Sequence, residues 1–84
     1  MIGLQAVLVL FPELDAEELA SWISHRWVRP EPSGEDFLFM DIDIARVRLV
    51  HDLRHAMDIP EDTVPLILHL LDQIYDLRAA LRRR

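Results

Sequence analysis

The chain has 84 residues, enough for one domain with a single core and not for a second; a domain this short buries only about 60–65 % of the surface its unfolded chain exposes, so it is expected to borrow stability from a partner. A hydrophobic share of 51 % against 29 % charged residues excludes intrinsic disorder, and the lack of cysteine excludes disulfide frameworks, thiolate zinc sites and cysteine nucleophiles. The net charge of −6 conceals a steeper asymmetry: all nine basic residues are arginine and four sit in the last seven positions, so through Leu77 five arginines face fifteen carboxylates, a balance of −10 that argues against binding a phosphate backbone.

No apolar run is long enough to span a bilayer. The start, MIGLQAVLVLFPELD, lacks the basic first segment and small-residue cleavage site of a secretory signal, so a mature, soluble, cytoplasmic protein is expected. Gly3 to Phe11 is nearly all apolar; its length does not separate a buried strand from a short buried helix, and the helix is the favoured reading. Pro12 stops it, because the residue before a proline is pushed out of the helical region. Asp15 followed by Glu18 resembles a capping box, with Leu14 and Leu19 placed as a hydrophobic staple, and a second helix is expected from Ala16 to about Arg26. Leu19, Trp22 and Ile23 mark its core face, and Glu17, Ser21 and Ser24 look outward.

Trp27 to Arg29 and Phe37 to Met40 are expected as two strands flanking turn residues between Pro30 and Asp36, a small wing over 27–40. A third helix over 43–58 is capped by Asp41 or Asp43, with Ile44, Val47, Val50, Leu53 and Met57 as its buried stripe, and Asp58-Ile59-Pro60 ends it. Glu61, Asp62 and Thr63 open a fourth helix over 61–83, in which Pro65 is tolerated because it falls in the first turn. This last helix is apolar on two sides. Ile67, Leu70, Ile74, Leu77 and Leu81 follow a heptad spacing beside a second stripe of Val64, Leu68, Leu71 and Tyr75. One stripe is expected to pack on the domain and the other to meet a second copy or another protein, with one broad intramolecular stripe as the alternative. Arg78, Arg82, Arg83 and Arg84 close the helix where cations favour its dipole.

Signals of chemistry are weak. His51 and His55 are four apart with Asp52 between them, so both rings could point one way, yet HDLRH specifies no third ligand, and boundary or solvated histidines are the plainer reading, more so for His25 and His69. Asp41 with Asp43 reads as helix-cap chemistry and Asp72 with Asp76 as an outer stripe. The only glycines, Gly3 and Gly34, make no phosphate loop, and the serines lie in no catalytic motif. No metal, cofactor or enzymatic activity is expected.

The order helix, helix, wing, helix, long apolar helix resembles the winged helix-turn-helix of MerR-type regulators. Within that superfamily EELASWISHRWVRPE, DFLFMDIDIARVRLVHDLRHAMDI and VPLILHLLDQIYDLRAAL resemble the chaperone-modulator branch, the CbpM-like proteins, over roughly Glu13 to Leu81. Trp27, Val28 and Pro30, the run Arg48 to Ile59 and the ending Leu70 to Leu81 are its most telling parts. The resemblance implies a regulator that binds the J-domain of a DnaJ/CbpA-type co-chaperone and blocks its engagement with Hsp70. MerR-type DNA readers carry several basic residues in the second helix and wing; here only Arg26 and Arg29 stand among Glu17, Glu18, Glu31, Glu35 and Asp36. That departure weakens the DNA-binding reading, and it suits a partner whose basic helix an acidic protein would attract.

The sequence is therefore read as an all-α domain with a two-stranded wing, a non-enzymatic binding module for a J-domain. The alternative is a MerR-like transcription regulator dimerising through its last helix. A homodimer is expected through Ile67, Leu70, Ile74, Leu77 and Leu81. Partner contact is expected on the outward acids Asp52, Asp58, Asp72 and Asp76, with the region of Trp22, Trp27 and Phe37 as the fallback.

Overall fold

The first helix, α1 (Leu4–Leu10), is too short to persist alone and is held from outside. Asp36, 32 positions away, accepts the Leu4 N–H at 3.2 Å on the same oxygen, Oδ1, that takes the Phe37 N–H at 2.7 Å. Gly3 makes room for this carboxylate, since a Cβ there would meet Asp36 Oδ2 at 2.7 Å. Gly3→Ala and Asp36→Ala therefore break the same contact: each is expected to cost about 1 kcal/mol and the double variant hardly more than either. Urea melts of the four-member cycle test this, and additive losses would reject it. The computed structural model describes residues 1–83, so Arg84, counted above among the arginines of the helix end, lies outside the described residues.

The second helix, α2 (Ala16–Ser24), starts on Asp15, whose side chain accepts the Glu18 N–H at 2.7 Å. The box is only half formed, because the Glu18 carboxylate turns away to His55. Leu14 and Leu19, the expected staple, are both buried. The helix ends two residues earlier than expected. Arg26 takes a left-handed φ of 63°, its N–H reaches Ile23 O at 3.0 Å, and the Trp27 N–H reaches back to Trp22 O at 2.9 Å, a Schellman-type ending without glycine.

That reversal corrects the expected first strand. Trp27 and Val28 turn into the core instead of pairing. The strands are β1 (Glu31–Ser33) and β2 (Asp36–Leu38), antiparallel with Glu31 opposite Leu38, Pro32 opposite Phe37 and Ser33 opposite Asp36. Residues expected as a turn thus pair. Pro32 is tolerated because a two-stranded ribbon has only edge strands, and Gly34 supplies the left-handed φ of 61° in the tight turn. Beyond β2, Phe39 exchanges two backbone hydrogen bonds with Ile2, at 2.7 and 3.1 Å, and ties the start of the chain to the hairpin.

Helix α3 (Asp41–His51) starts two residues before the expected boundary. Its cap is Met40, not Asp41 or Asp43, although Asp43 contributes by accepting the Met40 N–H at 2.9 Å. A π-helical turn, Asp52–Ala56, continues it. The chain then leaves through Asp58 at φ 51°, with the Ile59 N–H on Leu53 O at 2.8 Å and Arg54 donating to Ile59 O at 2.6 Å. Val47, Val50 and Leu53 are buried as expected, whereas Met57, expected on the same stripe, is exposed; it caps the π-helical turn, its N–H on Asp52 O at 3.0 Å, and the wider turn takes it off the α-helical spacing of the stripe. Helix α4 (Val64–Arg82) carries Pro65 in its first turn. The chain is mostly helical with one small antiparallel hairpin, and its core draws on all four helices and on Trp27, Val28 and Phe39.

Candidate functional site

Nineteen residues give α4 a length of about 28 Å, and only its beginning packs on the domain. Val64 and Leu68 are buried and Ile67 and Leu71 half-buried. Further on, Leu70, Ile74, Leu77 and Leu81 face water, Ile74 at 46 % and Leu77 at 63 % exposure. Of the two stripes, the one begun by Val64 and Leu68 is therefore core at its start, and the heptad seam is largely uncovered.

Where α4 leaves the core it is clamped to α3. Arg46 donates through Nη1 and Nη2 to the two carboxylate oxygens of Asp72, at 2.9 and 3.1 Å, and through Nε to Trp27 O at 3.0 Å. The hydrogen bond from Arg46 holds the Asp72 carboxyl below the usual carboxylate range, against some opposition from burial and with help from the charges of Arg46, Arg29 and His69. Beside the clamp a groove of about 640 Å³ runs between α3 and α4, with Ile42, Ala45 and Leu49 on one wall and Tyr75 and Asp76 on the other.

The four acids expected to meet a partner lie in different settings. Asp72 is half-buried and serves as a strut, so only Asp76 of that pair stands without a hydrogen bond or ion pair among the described residues. Asp52 and Asp58 are exposed but lie at the π turn and outside the groove, and Asp58 carries the left-handed exit of the helix. Trp22 and Trp27 are core residues and Phe37 is half-buried, which removes most of the fallback surface.

His51 and His55 stack with ring centroids 4.6 Å apart, and their Nε2 atoms address different carboxylates. His55 bonds Glu18 at 2.7 Å, while His51 stands 3.8 Å from Glu13 and its buried Nε2 has no hydrogen-bond partner. Among the described residues no three metal-capable side chains come together.

The sequence reading missed Arg46 and the groove wall. A signal was present, since Ile42, Ala45 and Leu49 are spaced three and four apart, the same argument that identified two stripes on the last helix. No family model, curated protein or solved structure matches the chain. None of the described helices is long and apolar enough to cross a membrane.

Proposed function

We propose that the chain is a non-enzymatic chaperone modulator, a CbpM-like protein that occupies the J-domain of a DnaJ/CbpA-type co-chaperone in the cytoplasm and keeps it from Hsp70. On this reading α1, α2 and the hairpin are a MerR-type winged helix-turn-helix turned to protein binding. The observation that carries the proposal is the excess of carboxylates on the folded body, five arginines against fifteen carboxylates through Leu77, beside exposed apolar side chains on α3 and α4. Arg46 is spent on Asp72 and Trp27, Arg54 on Ile59 O and Arg29 on Arg26 O, while Arg48 lies 5.0 Å over the Phe11 ring. Of these only Arg46 is ion-paired, so it is the excess of carboxylates that opposes a duplex, whereas an exposed apolar patch rimmed by charge is typical of a protein-binding surface.

Titration of the full chain with a J-domain, run beside a low-salt mobility-shift assay on DNA, tests the proposal. A saturable J-domain complex that lowers Hsp70 ATPase stimulation is expected. Specific DNA complexes whose affinity falls steeply with salt, without J-domain binding, would replace this reading by the transcription-regulator one.

The same reading makes the protein a homodimer through Ile67, Leu70, Ile74, Leu77 and Leu81. Paired antiparallel, two such seams set Leu70 against Leu81 and Ile74 against Leu77 of the other copy. Ile74→Glu is expected to yield a monomer in sedimentation while changing the stability of the isolated fold by less than about 0.5 kcal/mol, since the side chain already faces water. A wild type that stays monomeric at high concentration removes the seam.

A further inference from the structure

The groove between α3 and α4 lies off the apolar seam of α4. Its α4 wall is made by Tyr75 and Asp76, each about 100° round the helix from the seam residues Ile74 and Leu77. Its α3 wall is apolar, with Ile42 at 76 % exposure and Leu49, half-buried, two turns further along α3. Its charges are unevenly satisfied. Two arginines and three aspartates line it, a balance of −1. Arg46 is paired with Asp72 and bonded to Trp27 O, while Arg29 donates through Nε only to the neutral Arg26 O, so the groove's unpaired charges are one arginine against Asp43 and Asp76, still a balance of −1. Asp43 on the α3 wall keeps only a backbone N–H, and Asp76 opposite has no hydrogen bond or ion pair among the described residues.

We infer that this groove seats one basic amphipathic helix, its apolar face on Ile42, Leu49 and Tyr75 and its Arg or Lys flanks against Asp43 and Asp76. A helix lying in a groove between two others is a recurrent mode of peptide recognition, and it commits the guest to apolar anchors three and four residues apart. The charge decides between guests. An uncharged or acidic helix seated here would take Asp76 out of water without a partner, which is costly, whereas a cationic flank supplies one. The inference rests on the chaperone reading and adds the face: the guest is the basic helix of the J-domain, held by the α3–α4 groove while the seam holds the second copy.

Ile42→Arg tests it, with Val9→Arg as the matched control, because Val9 on α1 is 79 % exposed and lies outside the groove. Both side chains already face water, so both variants keep the fold, verified by circular dichroism. Isothermal titration of the full-length wild type and both variants with the J-domain is expected to show Ile42→Arg weakening binding about tenfold and Val9→Arg leaving it unchanged. Sedimentation is expected to give the same oligomeric state for all three. A loss smaller than fivefold in Ile42→Arg, or an equal loss in Val9→Arg, overturns the groove while the chaperone reading stands. A change of oligomeric state in Ile42→Arg assigns the groove to a second copy and also overturns the inference. A wild type that binds no J-domain removes the chaperone reading and the inference together.

Discussion

Phe39→Ala is expected to leave the chain largely unfolded at neutral pH and room temperature. Phe39 is fully buried, and its N–H and C=O are both bonded to Ile2, so the ring sits where the start of the chain, the hairpin and the helices meet. Truncating a buried phenylalanine costs about 3–5 kcal/mol, because the transfer energy of the ring is lost and the surrounding groups cannot collapse into the space. Domains this small have little more than that in total, about 3–5 kcal/mol from a single core. Fluorescence of Trp22 and Trp27, both buried, reports the transition in urea. Phe39→Leu is expected to keep a cooperative transition at a lower midpoint. A Phe39→Ala midpoint close to wild type would show that the core is organised without the ring, since the alanine keeps both backbone bonds to Ile2.

Features legible in the sequence share a short range. The Asp15 cap, the stop at Pro12, the exit at Asp58 and Pro60 and the two stripes of α4 are each encoded within a few neighbouring residues, where capping chemistry and period act. What escaped is encoded over distance or by backbone conformation. The Arg46–Asp72 clamp spans 26 positions and the Asp36–Leu4 bond 32, and nothing in the local pattern around Asp36 or Asp72 distinguishes them from solvated carboxylates. The misplaced first strand has a different cause. Arg26 adopts the left-handed region that glycine normally marks, so no residue announced that Trp27 and Val28 would turn inward, and their apolar, β-prone character read as strand. On α3 the groove stripe of Ile42, Ala45 and Leu49 was outweighed by the longer buried stripe beside it. The pairing of Asp72 was hidden for the same reason: helical spacing locates Asp72 on an outward arc of α4 but is blind to an arginine arriving from another helix.

Arg46→Met is expected to lower stability by about 2 kcal/mol and to loosen the groove wall it supports. The magnitude lies between two limits. Exposed ion pairs contribute about 0–1 kcal/mol, and removing one partner of a buried pair costs about 3–5 kcal/mol. Here the Arg46 side chain is 17 % exposed and that of Asp72 42 %, so water rehydrates the abandoned carboxylate more readily than it reaches the Trp27 carbonyl. Asp72→Asn is milder, at about 1 kcal/mol, because Arg46 keeps Trp27 O and the amide keeps one bond. The two variants also differ from wild type in their response to acid. Arg46 holds the Asp72 carboxyl below its ordinary range, so the folded state binds that proton less readily than the unfolded chain does. A depressed carboxyl pKa contributes stability that is complete above the unfolded value of about 4 and is lost as pH falls through the lower folded value. Wild type therefore loses this contribution below about pH 4, whereas both variants, which lack the pair, show a shallower acid limb there. Urea midpoints between pH 7 and pH 2.5 measure the difference; parallel profiles for wild type and Asp72→Asn would show that the clamp contributes nothing net. The clamp also sets a condition on any binding experiment at this face. A weaker J-domain complex in Asp72→Asn would reflect a displaced α4 wall, and only Asp76→Asn, which leaves the clamp closed, reports the charge that the guest itself would meet.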